Sequence, residues 1–283
     1  MANVGLVLSG GIAKGAYQIG VLKAISEFFS SDDIKTISAA SIGTLNAYAF
    51  ATDKLECLEE MWKNINITGM NDFINRILRR AYIFNAIDNF VDEKDKLNRC
   101  VYTTCFNISK LKVNYVNLNT LGFDERVQYL KASTTLPVFS KAMRIGEDNY
   151  FDGAMIDNIP IIPLLKHDLD FIIVVYFDNY NYSFENQELN DKVIKINFMD
   201  NGIVKDAISM DEATINYMIE KGYEKSRNVF ETILQNGIDD IEYIYEKINF
   251  FNSLHINKKT RLTADVLVDN MNKIAKKVIK EST

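Results

Sequence analysis

The sequence feature that most constrains the fold is a strand-to-helix corner that occurs twice near the N-terminus. Residues 4–8 form an apolar run of strand length, and residues 16–29 then carry apolar side chains at near-helical spacing. Residues 34–40 and 42–50 repeat this order of strand and helix. Alternating strands and helices predict a parallel sheet with helices on its faces. Ligands of such sheets bind beyond the carboxyl ends of the strands, so we expect the functional site at these two corners.

The rest of the chain continues the alternation and then changes. Apolar periodicity predicts further strands at residues 101–107, 113–119 and 171–177, and helices at residues 54–64 and 71–91. From about residue 200 the strand pattern stops, and a helix that begins at Asp211 is predicted to end near Gly237. We therefore predict an α/β domain over residues 1–200 and a helical C-terminal extension over residues 201–283 that packs on it.

Composition narrows the classes of function. The 283 residues carry a formal net charge of −6, whereas nucleic-acid binders usually show a basic face, so we expect no nucleic-acid partner. The three cysteines and two histidines lack metal-ligand spacing, so we expect no metal, and no organic cofactor is implied. The sequence opens without a signal-like segment and contains no apolar run of about 18 residues. We expect a cytoplasmic protein.

Ser41 occupies the second corner, in the stretch SAASIGTLNA. A sharp strand-to-helix turn exposes one side chain and crowds the residues two before and two after it, which are Ala39 and Gly43 here. This is the arrangement of the G-x-S-x-G nucleophile elbow, with alanine in place of the first glycine. The helix that follows directs its N-terminal amides at the serine and favours developing negative charge. The alternative is that Ser41 is only the N-cap of that helix.

The first corner has the sequence SGGIAKGAY, which excludes two phosphate-binding motifs. A P-loop needs Gly-Lys-Ser/Thr, but Lys14 precedes Gly15, and alanine follows. Glycines at 10, 11 and 15 do not match the dinucleotide motif G-x-G-x-x-G either. What remains is a tight loop that presents backbone N–H groups at a helix start, as the oxyanion of acyl transfer requires. The alternative is a glycine loop that only allows close packing.

A serine nucleophile needs a group that accepts its proton, and the sequence favours an aspartate over a histidine. His167 and His255 lie outside small-residue turns, and we expect surface or packing roles for them. Asp152, in the stretch YFDGAMIDN, follows a short apolar segment and precedes Gly153 and Ala154, whose small side chains let another segment approach. The alternative for this Asp-Gly pair is an ordinary turn.

Four stretches in order, LVLSGGIAKGAYQIGVL, SAASIGTLNA, KASTTLPVFS and YFDGAMIDNIPIIPL, resemble the motifs of the patatin-like phospholipases over roughly residues 4–200. The resemblance implies an α/β fold, a three-layer α/β/α sandwich with a mainly parallel central sheet. It also implies hydrolysis of acyl esters in phospholipids and related lipids, by a Ser41–Asp152 dyad without histidine. The expected partner is therefore a lipid or acyl-ester substrate.

The same resemblance implies roles for the other motif residues. The backbone amides of Gly10, Gly11 and Ile12 would form the oxyanion hole, and Lys14 would take the family's basic position. The supporting motif residues are Gly15, Gly43, Gly153, Asn158 and Pro160.

Ile12 and Ala39 depart from the family pattern, which usually has glycine at both places. If residue 12 needs a positive φ, isoleucine costs roughly 1–2 kcal/mol there. The backbone N–H survives this replacement, and the side chain is expected to narrow the pocket. The departures keep two alternatives open beside a lipid acyl hydrolase: a catalytically impaired lipid-binding protein, and a thioesterase or acyltransferase.

Two basic segments bear on how a lipid would be reached. Residues 71–91 place three arginines beside an apolar helical stripe, which fits a lid or, as we favour, a core-packed helix with a solvated edge. Residues 255–283 carry seven basic and three acidic residues. This tail fits peripheral contact with an anionic membrane, or docking on the α/β domain.

Overall fold

A computed structural model gives the fold of residues 2–69, 72, 81–137, 139–198, 209–254 and 257–261. The strands of this part of the chain are β1 (Val4–Leu8), β2 (Ile34–Ala40), β3 (Ile67–Thr68), β4 (Cys100–Asn107), β5 (Lys112–Asn117), β6 (Met143–Ile145), β7 (Asp148–Asp152), β8 (Phe171–Tyr176), β9 (Asn181–Phe184), β10 (Val193–Asn197), β11 (Ser209–Met210) and β12 (Lys258–Arg261). Its α-helices are α1 (Gly15–Phe28), α2 (Ile42–Ala51), α3 (Leu55–Lys63), α4 (Ala81–Phe90), α5 (Phe123–Ser133), α6 (Gln187–Asp191), α7 (Glu212–Ile233) and α8 (Ile241–Leu254).

The central sheet is parallel over most of its width. Strands β10, β8, β1, β2 and β4 are neighbours in this order, and each pair runs parallel. Beyond them, β5 and β7 both pair antiparallel with β4, and β6 pairs antiparallel with β7. The predicted α/β fold with a mainly parallel central sheet is confirmed.

One edge of β4 is shared by two strands that meet end to end. Thr104 pairs with Ala40 of β2 and also with Tyr115 of β5, so β2 and β5 lie on opposite edges of β4. Cys105 pairs with Asp152 of β7 and again with β5. Strand β7 therefore lies on the same edge as β2 and ends where β2 ends, which brings the residues after both strands together.

The core forms on both faces of the central strands. All five residues of β1 are buried, which explains its continuous apolar sequence. Leu6 and Leu8 face a large apolar cluster that includes side chains of α1 and α2, whereas Val7 faces a second cluster with Leu164 and Leu189. Helical segments thus cover both faces of the sheet, as the layered prediction required.

Helix α7 packs against α1 at a close crossing built on two glycines. A Cβ on Gly20 would clash with the carbonyl oxygen of Ile219, and one on Gly222 would clash with the carbonyl oxygen of Tyr17. The crossing continues through Phe230, whose ring packs edge-on against Phe29 with centroids 5.4 Å apart. The first C-terminal helix is therefore held directly on the helix that follows the first corner.

The helix after residue 200 begins as the sequence predicts. Asp211 caps α7 by accepting the Thr214 N–H at 2.7 Å, and the turn after the helix contains Gly237 with φ 93°. The prediction that strands stop at about residue 200 is wrong. Strand β11 pairs antiparallel with β3, and β12 pairs parallel with β9. Both strands are short and are fixed by distant partners, so no apolar alternation marks them in the sequence.

Two predicted segments fall largely outside the described residues. Of the predicted helix at 71–91, the structure describes α4, and residues 71 and 73–80 lie outside the description. The basic tail from residue 262 onward and His255 also lie outside it. Among the helices that are described, none is long and apolar enough to cross a bilayer.

Candidate active site

Ser41 sits at the corner between β2 and α2 in a strained backbone conformation. Its φ is 53° and its ψ is −132°, a region that residues with a side chain rarely adopt. Position 43 has to be glycine, because a Cβ there would lie 2.5 Å from the carbonyl oxygen of Leu8. The geometry of a nucleophile elbow, with a strained serine that begins a helix beside the end of β1, is therefore present at Ser41.

Asp152 ends β7 at the junction with β2. Ala40 pairs with Thr104, and Asp152 pairs with Cys105, the next residue of β4. Ala40 and Asp152 therefore lie about one residue rise, ~3.4 Å, apart along the edge of β4. The Asp152 carboxylate is fully buried, and its Oδ1 accepts the Ala154 N–H at 2.8 Å. The strand register thus brings the Ser41 corner and the Asp152 turn close together.

Thr104 of β4 contacts both segments that meet at this junction. Its Oγ1 donates a hydrogen bond of 2.9 Å to the carbonyl oxygen of Ala39. A Cβ on Gly153 would lie 2.7 Å from the Thr104 carbonyl carbon, so the glycine after Asp152 allows the turn to press against β4. One threonine side chain and one missing Cβ therefore hold both ends of the junction at a fixed separation.

Gly10 is the point where the first corner meets the other two motifs. Its N–H donates to Asn158 Oδ1 at 2.8 Å, and Asn158 Nδ2 donates to the Gly10 carbonyl oxygen at 3.3 Å. A Cβ on Gly10 would lie 2.8 Å from Ser41 Cβ and 3.1 Å from Ala154 Cβ. The loop, the serine corner and the segment after Asp152 therefore converge on a residue with no side chain.

Ile12 has a φ of 51°, so this β-branched residue has the positive φ that makes isoleucine costly at this position. Its N–H and that of Gly11 have no acceptor among the described residues. The Lys14 N–H closes the loop by donating to the Gly11 carbonyl oxygen at 3.0 Å. Two adjacent N–H groups are thus available at the start of α1, beside Ser41.

Buried polar side chains that sequence reasoning missed support the loop from behind. Gln18 Nε2 donates to the Ser9 carbonyl oxygen at 2.8 Å, and Asn46 Nδ2 donates to Gln18 Oε1 at 2.7 Å. A Cβ on Gly15 would lie 2.6 Å from the Trp62 ring, so this glycine makes room for the indole. The signal in the sequence was available: Gln18 and Asn46 carry amide side chains within the mostly apolar stretches 16–22 and 45–51.

An apolar pocket with a free volume of about 40 Å³ begins at Ser41. Besides Ser41 and Ile12, its lining includes the apolar or aromatic side chains of Leu45, Met61, Trp62, Ile65, Tyr82, Ile83, Leu136 and Met210. This apolar lining beside a serine suits a hydrocarbon group better than a polar ligand.

A comparison with protein families decides what these features belong to. Residues 6–165, more than half of the chain, match the family of the patatin-like phospholipases. The chain belongs to this family. The match includes the glycine loop, Ser41 and Asp152, and it ends before β8.

Curated relatives of this patatin-like chain are much longer proteins. It is 28% identical over 194 residues to lysophospholipase NTE1 of Cryptococcus neoformans, which covers 61% of this chain and 11% of that protein. It is also 28% identical over 193 residues to lysophospholipase nte1 of Aspergillus terreus, which covers 61% of this chain and 12% of the relative. The chain therefore spans about a tenth of the length of these relatives.

A solved structure with a similar fold is VipD from Legionella pneumophila. It aligns with 99% of this chain and 75% of its own length, with a TM-score of 0.51 and 12% sequence identity. At this identity the likeness concerns the fold alone. It does extend past the family match, over the C-terminal region of the chain.

Cys105 lies beside the patatin-like site, whereas His167 lies away from it. Burial, together with the negative charge of Asp152, raises the pKa of the Cys105 thiol far above its ordinary value, so the thiol stays protonated. His167 precedes β8, at the amino end of the parallel strands, and packs edge-on against Tyr102 with centroids 5.9 Å apart. Among the residues that the structure describes, no group of three or more potential ligands could hold a metal ion.

Proposed function

We propose that this patatin-like chain is a serine-dependent lipid acyl hydrolase. The observation that carries the proposal is the meeting of three features at one point: strained Ser41, the turn of Asp152, and two N–H groups of the glycine loop. The apolar cavity that opens from Ser41 supports a fatty-acyl ester as substrate. The relatives named lysophospholipase support the same class.

In the proposed reaction, Ser41 Oγ attacks the ester carbonyl carbon and Asp152 accepts the hydroxyl proton. The N–H groups of Gly11 and Ile12 hold the oxyanion of the tetrahedral intermediate, aided by the N-terminus of α2. The intermediate collapses to an acyl-enzyme, and the alcohol leaves with the proton from Asp152. Water then attacks the acyl-enzyme carbonyl carbon while Asp152 accepts a proton from it. As the second intermediate collapses, the bond from the carbonyl carbon to Ser41 Oγ breaks, Asp152 returns the proton to Oγ, and the fatty acid is released.

Gly10 takes a different role in this proposal from that of Gly11 and Ile12. The sequence predicts its amide as a third oxyanion donor, but this N–H already donates to Asn158. We assign Gly10 to holding the loop in place and the two following amides to the oxyanion. We also propose that the protein is cytoplasmic and meets lipid surfaces from outside the bilayer.

Labelling with a fluorophosphonate probe, followed by mass spectrometry of the intact protein, tests the proposal. We expect one adduct on wild type and on Ser31→Ala, which changes an exposed serine, and none on Ser41→Ala. Asp152→Asn should slow labelling strongly while the protein stays folded. Absence of a Ser41 adduct, or ester hydrolysis that survives Ser41→Ala, would contradict the proposal.

The strained Ile12 favours one second candidate, a patatin-fold protein whose activity is impaired. Its side chain is 37% exposed and lines the cavity beside Ser41. Ile12→Gly separates the candidates through the hydrolysis rate of short-chain p-nitrophenyl esters. A large gain from a near-zero rate supports the impaired protein, whereas a modest change from a measurable rate supports a working enzyme with a narrowed pocket.

A further inference from the structure

A buried carboxylate lies in the segment that follows Asp152. The side chain of Asp157 is 2% exposed, and its Oδ2 accepts a hydrogen bond of 2.7 Å from Tyr115 Oη. Its Oδ1 forms an ion pair with the guanidinium of Arg261. Burying a carboxylate is costly without such partners, so the pair fixes where Asp157 lies.

Arg261 reaches this segment from the far end of the described chain. Its Nη2 also donates to the carbonyl oxygen of Ile159 at 3.3 Å, so one guanidinium holds the residues on both sides of Asn158. Strand β12 carries Arg261 and is held by parallel pairing with β9. The guanidinium lies 5.6 Å from the centre of the Tyr182 ring, which adds a second surface that orients it.

Asn158 connects this clamp to the oxyanion loop. It follows Asp157 directly and makes the pair of hydrogen bonds with Gly10. Gly10 precedes Gly11 and Ile12, whose N–H groups hold the oxyanion in the proposed reaction. A shift of Asp157 would therefore move Asn158, and through it the loop whose N–H groups must be accurately placed.

We propose that Arg261, outside the residues that match the family, is a positioning residue for the oxyanion loop. It acts through Asp157 and Asn158 on Gly10, and the inference rests on the proposed function for its catalytic consequence. Arginine suits this role because the two hydrogens of one nitrogen, Nη2, serve the carboxylate and the carbonyl oxygen while the planar guanidinium lies over the Tyr182 ring, whereas a lysine ammonium is a compact point charge. The C-terminal strand thereby becomes part of the active site's support.

The test compares Arg261→Met and Arg261→Lys with the matched control Lys259→Met. Lys259 lies on the same strand, is exposed, and packs over Tyr180 instead of residues 153–159. Hydrogen exchange of the full chain is measured in peptides that cover residues 9–15 and 153–160. We expect faster exchange in both peptides for Arg261→Met, a smaller increase for Arg261→Lys, and none for the control.

Kinetics with p-nitrophenyl butyrate supply the second measurement. Because the loop acts on the transition state, Arg261→Met should lower kcat roughly tenfold or more with little change in KM, and Arg261→Lys should restore part of the rate. If Arg261→Met does not fold, Tyr115→Phe, which removes the other bond to Asp157, replaces it in both measurements.

The outcomes separate the inference from the proposed function. Unchanged exchange at residues 9–15 in a folded Arg261 variant overturns the clamp, even if residues 153–160 exchange faster. An equal effect of Lys259→Met also overturns it. If wild type has no Ser41-dependent activity, the proposed function fails, and the exchange measurements still decide whether Arg261 holds the loop.

Discussion

The two strand-to-helix corners have the same backbone irregularity, but it has different consequences. Each follows a buried strand and contains one non-glycine residue with a left-handed φ, 51° at Ile12 and 53° at Ser41. At Ser41 the proposed reaction uses the side chain itself, whose hydroxyl is the nucleophile. At Ile12 the proposed reaction uses only the N–H, and the side chain lines the cavity. In the proposed reaction, a similar positive φ therefore serves chemistry at one corner and pocket shape at the other.

The glycines beside the two corners differ in what an added Cβ would contact. Gly43 faces the backbone of β1, where an added Cβ would lie 2.5 Å from the Leu8 carbonyl oxygen, whereas a Cβ on Gly15 would lie 2.6 Å from the ring of Trp62. A backbone oxygen within a sheet cannot move aside, but a side chain can rotate or shift. The Ser41 corner therefore tolerates an added side-chain atom less well than the Ile12 corner does.

The largest expected difference between the corners is catalytic. Ser41→Ala should lower kcat/KM for p-nitrophenyl butyrate by at least about 10³-fold, because it removes the nucleophile and leaves only binding and oxyanion stabilisation. Ile12→Ala keeps its N–H and should cost less than about tenfold. Ser31→Ala is the matched control. Equal losses of kcat/KM in the two variants would contradict the proposal that Ser41 acts in the chemistry whereas the Ile12 side chain only shapes the pocket.

The next effect concerns stability, and it compares Gly43→Ala with Gly15→Ala by urea unfolding. We expect Gly43→Ala to cost about 3 kcal/mol, at the upper end for overpacking, because the Cβ meets the backbone of β1. Gly15→Ala should cost about 1 kcal/mol, since Trp62 can shift. Gly122→Ala, with open space around its Cβ, is the control. Equal costs at residues 15 and 43 would contradict the difference in tolerance.

Local sequence was sufficient to predict the two corners, but it was insufficient to predict the strand pairing that brings distant segments together. Strands β1 and β2 and helices α1 and α2 lie within one or two residues of their predicted bounds, because apolar periodicity and glycine placement act on neighbours along the chain. The end-to-end meeting of β2 and β7 on β4 depends on register between distant strands, which no local pattern specifies. The motif order predicted that Ser41 and Asp152 act together, but not how they are brought together.

The contacts that hold the glycine loop in place were even harder to predict from local sequence. Asn158 and Gly10 are separated by 148 positions, and Arg261 and Asp157 by 104. Strand β12, with the sequence KKTR, has no apolar residue that would mark it as a strand. Such contacts come from tertiary packing of polar groups, which outweighs propensity in short segments. The positive φ of Ile12, in contrast, can be anticipated from the sequence, because the family pattern usually has glycine at that place.

A smaller effect is expected when the first corner loses its tie to the segment after Asp152. Asn158→Ala removes both hydrogen bonds to Gly10 and leaves the Gly10 N–H without its acceptor, so we expect a loss of about 1–3 kcal/mol of stability. The fall in kcat should exceed any rise in KM. Asn228→Ala, an exposed change on α7, is the control. A rate equal to wild type would show that the first corner holds its shape without Asn158.

The smallest effect separates backbone strain from side-chain contacts at both corners. At residue 12, glycine should be more stable than alanine by about 0.5–1 kcal/mol, because relief of the left-handed conformation outweighs the greater entropy loss of glycine on folding. The same sign and size are expected for Ser41→Gly against Ser41→Ala. Urea unfolding of the four variants gives both differences. Agreement between them means that the corner geometry sets the strain, whichever side chain it carries. If alanine is the more stable residue at either corner, that corner relaxes out of the left-handed region, and the likeness between the two corners does not hold.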